Sequence, residues 1–440
     1  MPANTITTAD TLHQAALNQN TAAAEPAAFI TNDAVVFGIL CVILALVFYL
    51  SSHPAAFLRR FFSVVPALLL CYFIPGLLNS FGIISGSESA LYSMACDYLL
   101  PASLLLFTLS IDFKSLLRLG PRALLMFLAG TLGIVIGGPL ALFITIQLFP
   151  GSFSGTGADE AWRGFSTIAG SWIGGGANQA AMKEVFKPSD SLFGMMVVVD
   201  VLPANIWMAL LLYGAGRSAA IDRWLRADAS KIEDIRRRSA EFRAQMLRIP
   251  STRDLMMIAG VAFGGVALSH FLADLLAPFL ETRYPFLAQY SLTSAFFWIV
   301  LLATTFGLLA SFTPLRKLEG AGAGNVGSVF LYILVATIGM KMDILAVLSS
   351  PVFFVTGLLW MLVHGMVIVL AARLLKAPFF FAAVGSQANV GGAASAPVVA
   401  AAFDPALAPV GALLAVLGYA LGTYGGYITG LLMQWVSALQ

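Results

Sequence analysis

The chain has 440 residues, 59% of them apolar and 10% charged, with a formal net charge of +2 and a mean hydropathy of +0.88. A soluble domain carries about 25% charged residues to cover its water-facing surface, so an ordinary soluble fold is excluded and no nucleic-acid partner is expected. Apolar runs long enough to cross about 30 Å of hydrocarbon recur instead from Ala34 to Trp435, which makes the lipid bilayer the first partner of the chain.

Residues 1–33 are rich in Ala, Thr and Asn and hold no Lys or Arg, so they lack the basic head of a signal peptide and read as a disordered tail. Apolar stretches then fall at 34–50, 64–84, 93–111, 122–149, 162–186 and 191–215. After a segment at 217–253 with ten Lys/Arg, they resume at 254–280, 291–311, 325–343, 351–375, 379–403 and 407–436. Two halves, 34–216 and 254–440, are thus joined by a basic linker. They resemble each other in order: "LFTLSIDFKSLL" (106–117) lies over "LVATIGMKMDILAV" (334–347), and "GSWIGGGANQAAM" (170–182) over "GSQANVGGAASAPV" (385–398). Internal duplication of this kind is a mark of transporter folds.

Charge placement constrains the crossings. If 162–186 enters and leaves on one face, 19 of the 24 Lys/Arg share one side, including the whole linker, and only Arg163, Lys183, Lys187, Arg283 and Lys341 lie opposite. The positive-inside rule then puts the linker in the cytoplasm, with Gly157 and Ser230 on opposite faces. Each half becomes five crossings plus one re-entrant segment, and the odd number inverts the second half relative to the first. For 379–403 the charges do not decide, and the hairpin there rests on the repeat.

The two glycine motifs are the main chemical candidates. Ser171, Gly175 and Gly176 precede Asn178 and Gln179, while Gln387, Asn389 and Ser395 surround Gly391 and Gly392. Consecutive glycines weaken a helix by about 1 kcal/mol each, and a broken helix at membrane depth must be buried in protein or line a cavity. Freed N–H groups there suit an anion and freed carbonyls suit a cation. The alternative is close helix packing, since glycine is common in membrane helices. Asp200 lies mid-span in "MMVVVDVLPANIW" (195–207) and must face a partner or a cavity. It is the candidate Na⁺ ligand or proton carrier, with Asn205 beside it and Thr423 overlaying Asn205 in the repeat; the alternative is a structural hydrogen bond. His270 and His364 could carry a proton but are more ordinary as packed residues. Gly418, Gly422, Gly426 and Gly430 recur at every fourth position, the small-xxx-small pattern of tight packing. Cys41, Cys71 and Cys96 show no metal-ligand spacing. No intramembrane-protease or hydrolase motif is present, so an enzyme is not expected, nor is an organic cofactor.

The paired motifs "GSWIGGGANQAAM" and "GSQANVGGAASAPVVAAAF" resemble those of the YjcL-like family of membrane proteins over nearly the whole chain beyond the tail. More distantly the chain is similar to glutamate:sodium symporters and 2-hydroxycarboxylate transporters. That resemblance implies an elevator mechanism, in which a core holding the broken segments slides against a scaffold, and a homodimer. The glycine strings run on into Ala-Asn at 177–178 and Ala-Ala-Ser at 393–395, which departs from the symporter motif, so substrate identity does not carry over. The expectation is an all-α, multi-pass protein of the inner (plasma) membrane that moves a small organic anion (amino acid, carboxylate or short peptide) with Na⁺ or H⁺. The alternative is a sodium/proton antiporter without organic substrate, which a second mid-membrane carboxylate beside Asp200 would favour.

Overall fold

The computed structural model describes residues 28–65, 67–227, 249–341 and 351–439. Most of the 1–33 tail, the middle of the 217–253 linker with Ser230, and the 342–350 end of the second-half repeat motif lie outside the described residues. The first half runs α1 (Asp33–Ser51), α2 (Ala56–Val64), α3 (Ala67–Ser80), α4 (Leu91–Leu109, with a π turn at Ala95–Leu99), α5 (Phe113–Arg118), α6 (Pro121–Leu148), α7 (Ala161–Gly174), α8 (Gly176–Phe186) and α9 (Asp190–Ala215). Then follow α10 (Ser218–Leu225), α11 (Thr252–Arg283), α12 (Ala295–Ala310), α13 (Ala323–Gly339), α14 (Pro351–Leu375), α15 (Phe379–Val390), α16 (Gly392–Phe403) and α17 (Ala408–Ser437). Among the described residues seven helices are long and apolar enough to span a membrane, namely α1, α4, α6, α9, α11, α14 and α17. Two bent pairs raise the number to nine: α2 with α3, and α12 with the turn Pro314–Ala321.

Local sequence explains where helices begin. Asn32 accepts from the N–H groups of Ala34 and Val35 at the start of α1, and Ser189 accepts from Leu192 at the start of α9. Ser251 and Asp254 form a reciprocal capping box on α11. Each cap satisfies donors that no helical carbonyl can reach.

The stretch 162–186 is a helical hairpin. Arg163 at the start of α7 donates to the Phe186 carbonyl at the end of α8 (2.7 Å), and the Trp162 and Phe186 rings meet edge to face at 5.6 Å. A continuous helix would hold those ends about 35 Å apart. The same holds for 379–403, which charge counting left open. Phe380 on α15 and Phe403 on α16 lie 5.3 Å apart, ring to ring, and Gln387 donates across the turn to Ser395 at 2.7 Å.

Helix contacts sort the molecule into two bundles. One consists of α1, α3, α4, α11, α12 and α13, and the other of α6 to α9 with α14 to α17, so the latter holds both hairpins. The basic loops also sort. At one end Arg316 pairs with Asp112, Phe113 stacks on Phe312 at 4.7 Å, Arg373 donates to the Trp224 carbonyl, and Ile111, Leu116, Leu225 and Ala377 share one apolar cluster. Near the outer end of α8, Lys183 and Lys341 both lie over the Tyr92 ring, 4.6 and 4.3 Å from its centroid. The segments around Asp112, Arg316, Trp224 and Arg373 therefore lie at one end, and Lys183 and Lys341 lie together elsewhere.

Two expectations follow. In a variant lacking the three native cysteines, Ser154→Cys and Arg223→Cys should label with an impermeant thiol reagent from opposite faces; labelling from one face would contradict the hairpin arrangement. The second concerns Asp112, which caps α5 outside the spans. Burial pushes its carboxyl up, but the hydroxyl and N–H of Ser115 and the Arg316 guanidinium outweigh that and hold it below the usual carboxylate range. A lowered folded pKa gives stability that is present above the unfolded value, about 3.9, and lost as pH falls through the folded one. The melting temperature of detergent-solubilised wild type should therefore exceed that of Asp112→Asn at neutral pH, with the gap closing only in strong acid. A constant gap would show that the charge contributes nothing.

Candidate functional site

Both hairpins turn on glycine. Gly175 has φ 79° and Gly392 φ 57°, left-handed values that other residues adopt only with strain. Each turn starts a new helix, so the positive N-termini of α8 and α16 lie at the two tips. The tips meet on α17: a Cβ built on Gly418 would sit 2.6 Å from the Ile173 carbonyl oxygen and 3.4 Å from that of Ala388. Further along the ladder a Cβ on Gly426 would lie 3.0 Å from the Gly170 Cα. The four-residue glycine ladder is thus a packing surface that admits α7 against α17 backbone to backbone.

Asn178 and Asn389, both fully buried, repeat one bonding pattern. Asn178 Nδ2 donates to Gly174 O on its own hairpin (2.9 Å) and to Tyr419 O on α17 (3.1 Å), while its Oδ1 accepts from Thr423, four residues beyond Tyr419 (2.7 Å). Asn389 Nδ2 donates to Gly385 O (2.9 Å) and to Phe127 O on α6 (2.9 Å), while its Oδ1 accepts from Thr131, four residues beyond Phe127 (2.7 Å). Each amide clamps a hairpin to a long helix. Thr423 also bonds Thr304 of α12 at 3.1 Å, so it belongs to this clamp and to the contact between bundles, and it does not bond Asp200.

A second cluster forms around Asp200, which is 7% exposed. Its Oδ2 accepts from Ser171 Oγ (2.7 Å) and Gln179 Nε2 (3.2 Å), so the structure brings together three of the expected residues from α7, α8 and α9. The indole N–H of Trp172 approaches the same carboxylate without reaching hydrogen-bond geometry. Tyr72, from α3 of the opposite bundle, lies in the field of Asp200 with its hydroxyl unpartnered. Gln179 Oε1 is also buried without a partner, as is Gln387 Oε1 at the second hairpin. Buried polar groups rarely lack a protein partner, so these atoms stand out among the described residues.

Other expected residues fall elsewhere. Asn205 donates to Val201 O on its own helix (2.9 Å) and does not join the cluster. His364 is buried between Gly130 O (3.1 Å) and Ser386 Oγ (2.7 Å), and Ser386 accepts from the Trp207 indole (2.8 Å). The Ser386 proton is then free for Nε2, which leaves Nδ1–H for the Gly130 carbonyl: a neutral, packed histidine. His270 bonds Asp97 O at 2.8 Å. Tyr72, Trp172 and Thr131 were not anticipated; each is a single polar tip in an apolar run, with no spacing to betray it.

This bonding alters what mutation should do. Asn178→Ala and Asn389→Ala should lower thermal stability, because each removes a buried amide that bonds a hairpin to a long helix. The cost is about 1 kcal/mol per hydrogen bond lost. Wild-type melting temperatures for both variants would show that the clamps do not hold the hairpins.

Comparison with known proteins is consistent with this architecture. Over 361 residues the chain is 26% identical to the "Uncharacterized membrane protein YjcL" of Bacillus subtilis (strain 168), which covers 80% of this chain and 85% of that protein. A family profile described as "Protein of unknown function (DUF819)" matches residues 38–436, so this multi-span, all-helical membrane protein belongs to the DUF819 family, as YjcL-like resemblance in its glycine motifs implied.

Proposed function

We propose that the chain is a secondary transporter of a small organic anion, coupled to Na⁺ or H⁺ and working by an elevator movement. The observation that carries this reading is the convergence of two glycine-broken hairpins on α17 inside one bundle. Broken helices at membrane depth serve transport because they offer backbone dipoles to a solute. The substrate site is the tip region, where Gly175, Gly176, Gly391 and Ser395 are half-buried and Gln387 keeps an unpartnered oxygen. Gly176 faces Leu68 and Leu331 of the opposite bundle, with a built Cβ 3.7 and 4.0 Å from them. The positive ends of α8 and α16 favour a carboxylate there. The Asp200 cluster is the coupling site, the linker is cytoplasmic, the bundle without hairpins is the dimeric scaffold, and the membrane is the plasma membrane.

The test is a thermal-shift screen of the purified protein against amino acids, carboxylates and dipeptides, followed by uptake into proteoliposomes. A ligand at 100 times its Kd stabilises the native state by about 2.7 kcal/mol. One anionic class should raise the melting temperature and be accumulated, and Gly391→Val should abolish both. A cationic or neutral solute as the only ligand would overturn the anion reading, and binding without uptake would overturn transport.

A further inference from the structure

The Asp200 pocket is better furnished with donors than a metal site can use. Ser171 and Gln179 already donate to Oδ2, and the Trp172 N–H approaches it. Indole and amide N–H groups only donate, so neither can ligate a cation. The carboxylate of Asp200 is the single negative charge acting there. Among the described residues no group of three or more His, Cys, Asp or Glu is placed to hold a metal ion. What the pocket does hold is an acceptor without a donor, Gln179 Oε1, on the same amide whose Nε2 bonds the carboxylate.

That pairing has a simple use. An ionised Asp200 is served by the N–H₂ of Gln179. A protonated Asp200 carries an O–H that needs an acceptor, and turning the Gln179 amide over presents Oε1 to it. Both charge states therefore have a hydrogen-bonded solution in the same space, which is costly to arrange in an apolar interior. A sodium ion would instead require the amide oxygen, the serine oxygen and further oxygens at once, with Trp172 offering none.

We propose that Asp200 is a proton carrier rather than a sodium ligand, with the Gln179 amide reading its charge state and Tyr72 closing the pocket from the opposite bundle. This rests on the transporter reading above and selects its coupling ion. Protonation forms the Asp200 O–H bond from a hydronium ion and leaves water; release reverses it. The groups that face Asp200 come from three helices. α7 supplies Ser171 and Trp172, α8 supplies Gln179, and α3 supplies Tyr72 with Cys71 beside it. On α14, Gly357 lies against Val199 and Pro203, while His364 and Arg373 lie farther along at Trp207 and Trp224. α15 and α16 carry no titratable side chain. Tyr72 is held in place by α13, since a Cβ on Gly339 would come within 2.3 Å of the Tyr72 carbonyl oxygen. Access to the pocket therefore requires the two bundles to separate at α3.

The experiment is infrared difference spectroscopy of the purified protein during a pH titration, in NaCl and in choline chloride of equal ionic strength. A carbonyl band of a buried protonated carboxyl should grow as pH falls, identically in both salts, and should be lost in Asp200→Asn. Gln179→Leu keeps the carboxylate but removes both faces of the amide, so the band should persist with a displaced midpoint, and this variant carries the test if Asp200→Asn does not fold. Suppression of the band by Na⁺ relative to choline, with a Na⁺-dependent rise in melting temperature, would overturn the proposal in favour of a sodium site. A titration unchanged in both variants would overturn it by showing that Asp200 does not exchange protons. Neither readout needs a substrate, so failure here is distinct from failure of the transport reading.

Discussion

A backbone N–H or C=O in hydrocarbon has no water to fall back on, and this constraint governs how the two helix breaks at Gly175 and Gly391–Gly392 are housed. Neither hairpin could stand at membrane depth facing lipid. Both are enclosed in one bundle, and α17 is the surface that encloses them. Its glycine ladder lets α7 approach until backbone meets backbone, and its Tyr419 carbonyl and Thr423 hydroxyl occupy the amide of Asn178. α6 does the same for Asn389 through Phe127 and Thr131. Two unrelated helix faces thus solve the same problem with the same device, a carbonyl and, one turn later, a hydroxyl.

How much of this is legible in sequence follows from the range of each interaction. Hydropathy runs report local composition, and the apolar stretches coincide with helices. The first hairpin is legible because charge placement is a sum over the whole chain, and Arg163, Lys183 and Lys187 fall on its outer ends. The second is legible only through its likeness to the first. The glycine ladder is legible because a four-residue period is a local geometric fact. The roles of the asparagines are not. An amide in a glycine motif looks the same whether it meets a solute or Thr423, 245 positions away. Tyr72 is hidden for a similar reason: within its apolar stretch a phenol counts as one more aromatic ring, and only the approach of α9 to α3 gives its hydroxyl meaning. Ser171, Gln179 and Asp200 lie between these cases. Their polarity at depth marks them, while their convergence needs the hairpin.

The surface between the bundles has a character suited to relative movement in the proposed elevator. Polar contacts across it include the hydroxyl pairs Thr304 with Thr423 at 3.1 Å and Thr305 with Tyr424 at 2.8 Å, and Phe107 stacks on Tyr419 at 4.2 Å. Hydroxyls both donate and accept, and can find new partners one turn along. The exception lies at the outer end of the first hairpin. Lys183 there is buried and bonds Asp190 and the Tyr92 hydroxyl, both at 2.8 Å, and Tyr92 also bonds Glu184. The Asp190 carboxylate of that pair is partly exposed to solvent, so the pair adds little net stability. Because Lys183, Glu184 and Asp190 all travel with the hairpin bundle and only Tyr92 belongs to the opposite one, a slide would part an aromatic ring from the charges while leaving the charges paired.

The hairpin α7–α8 also supplies a physical route between the two sites proposed above. Ser171 lies three residues before the end of α7 at Gly174, and Gln179 three residues after α8 begins at Gly176, so each is about 5 Å of helix rise from the tip. Ser171 and Gln179 therefore pull on both arms of the hairpin at once when they bond Asp200. A change in the charge of that carboxylate alters the bond on each arm, and the arms meet at the one residue, Gly175, whose conformation sets where the positive end of α8 points. Linkage requires the reverse as well: an anion seated at that helix end favours whichever arm geometry suits it, and so biases the charge state of Asp200 by the same free energy. No separate transmission element is needed, because a single turn of glycine-broken helix belongs to both sites.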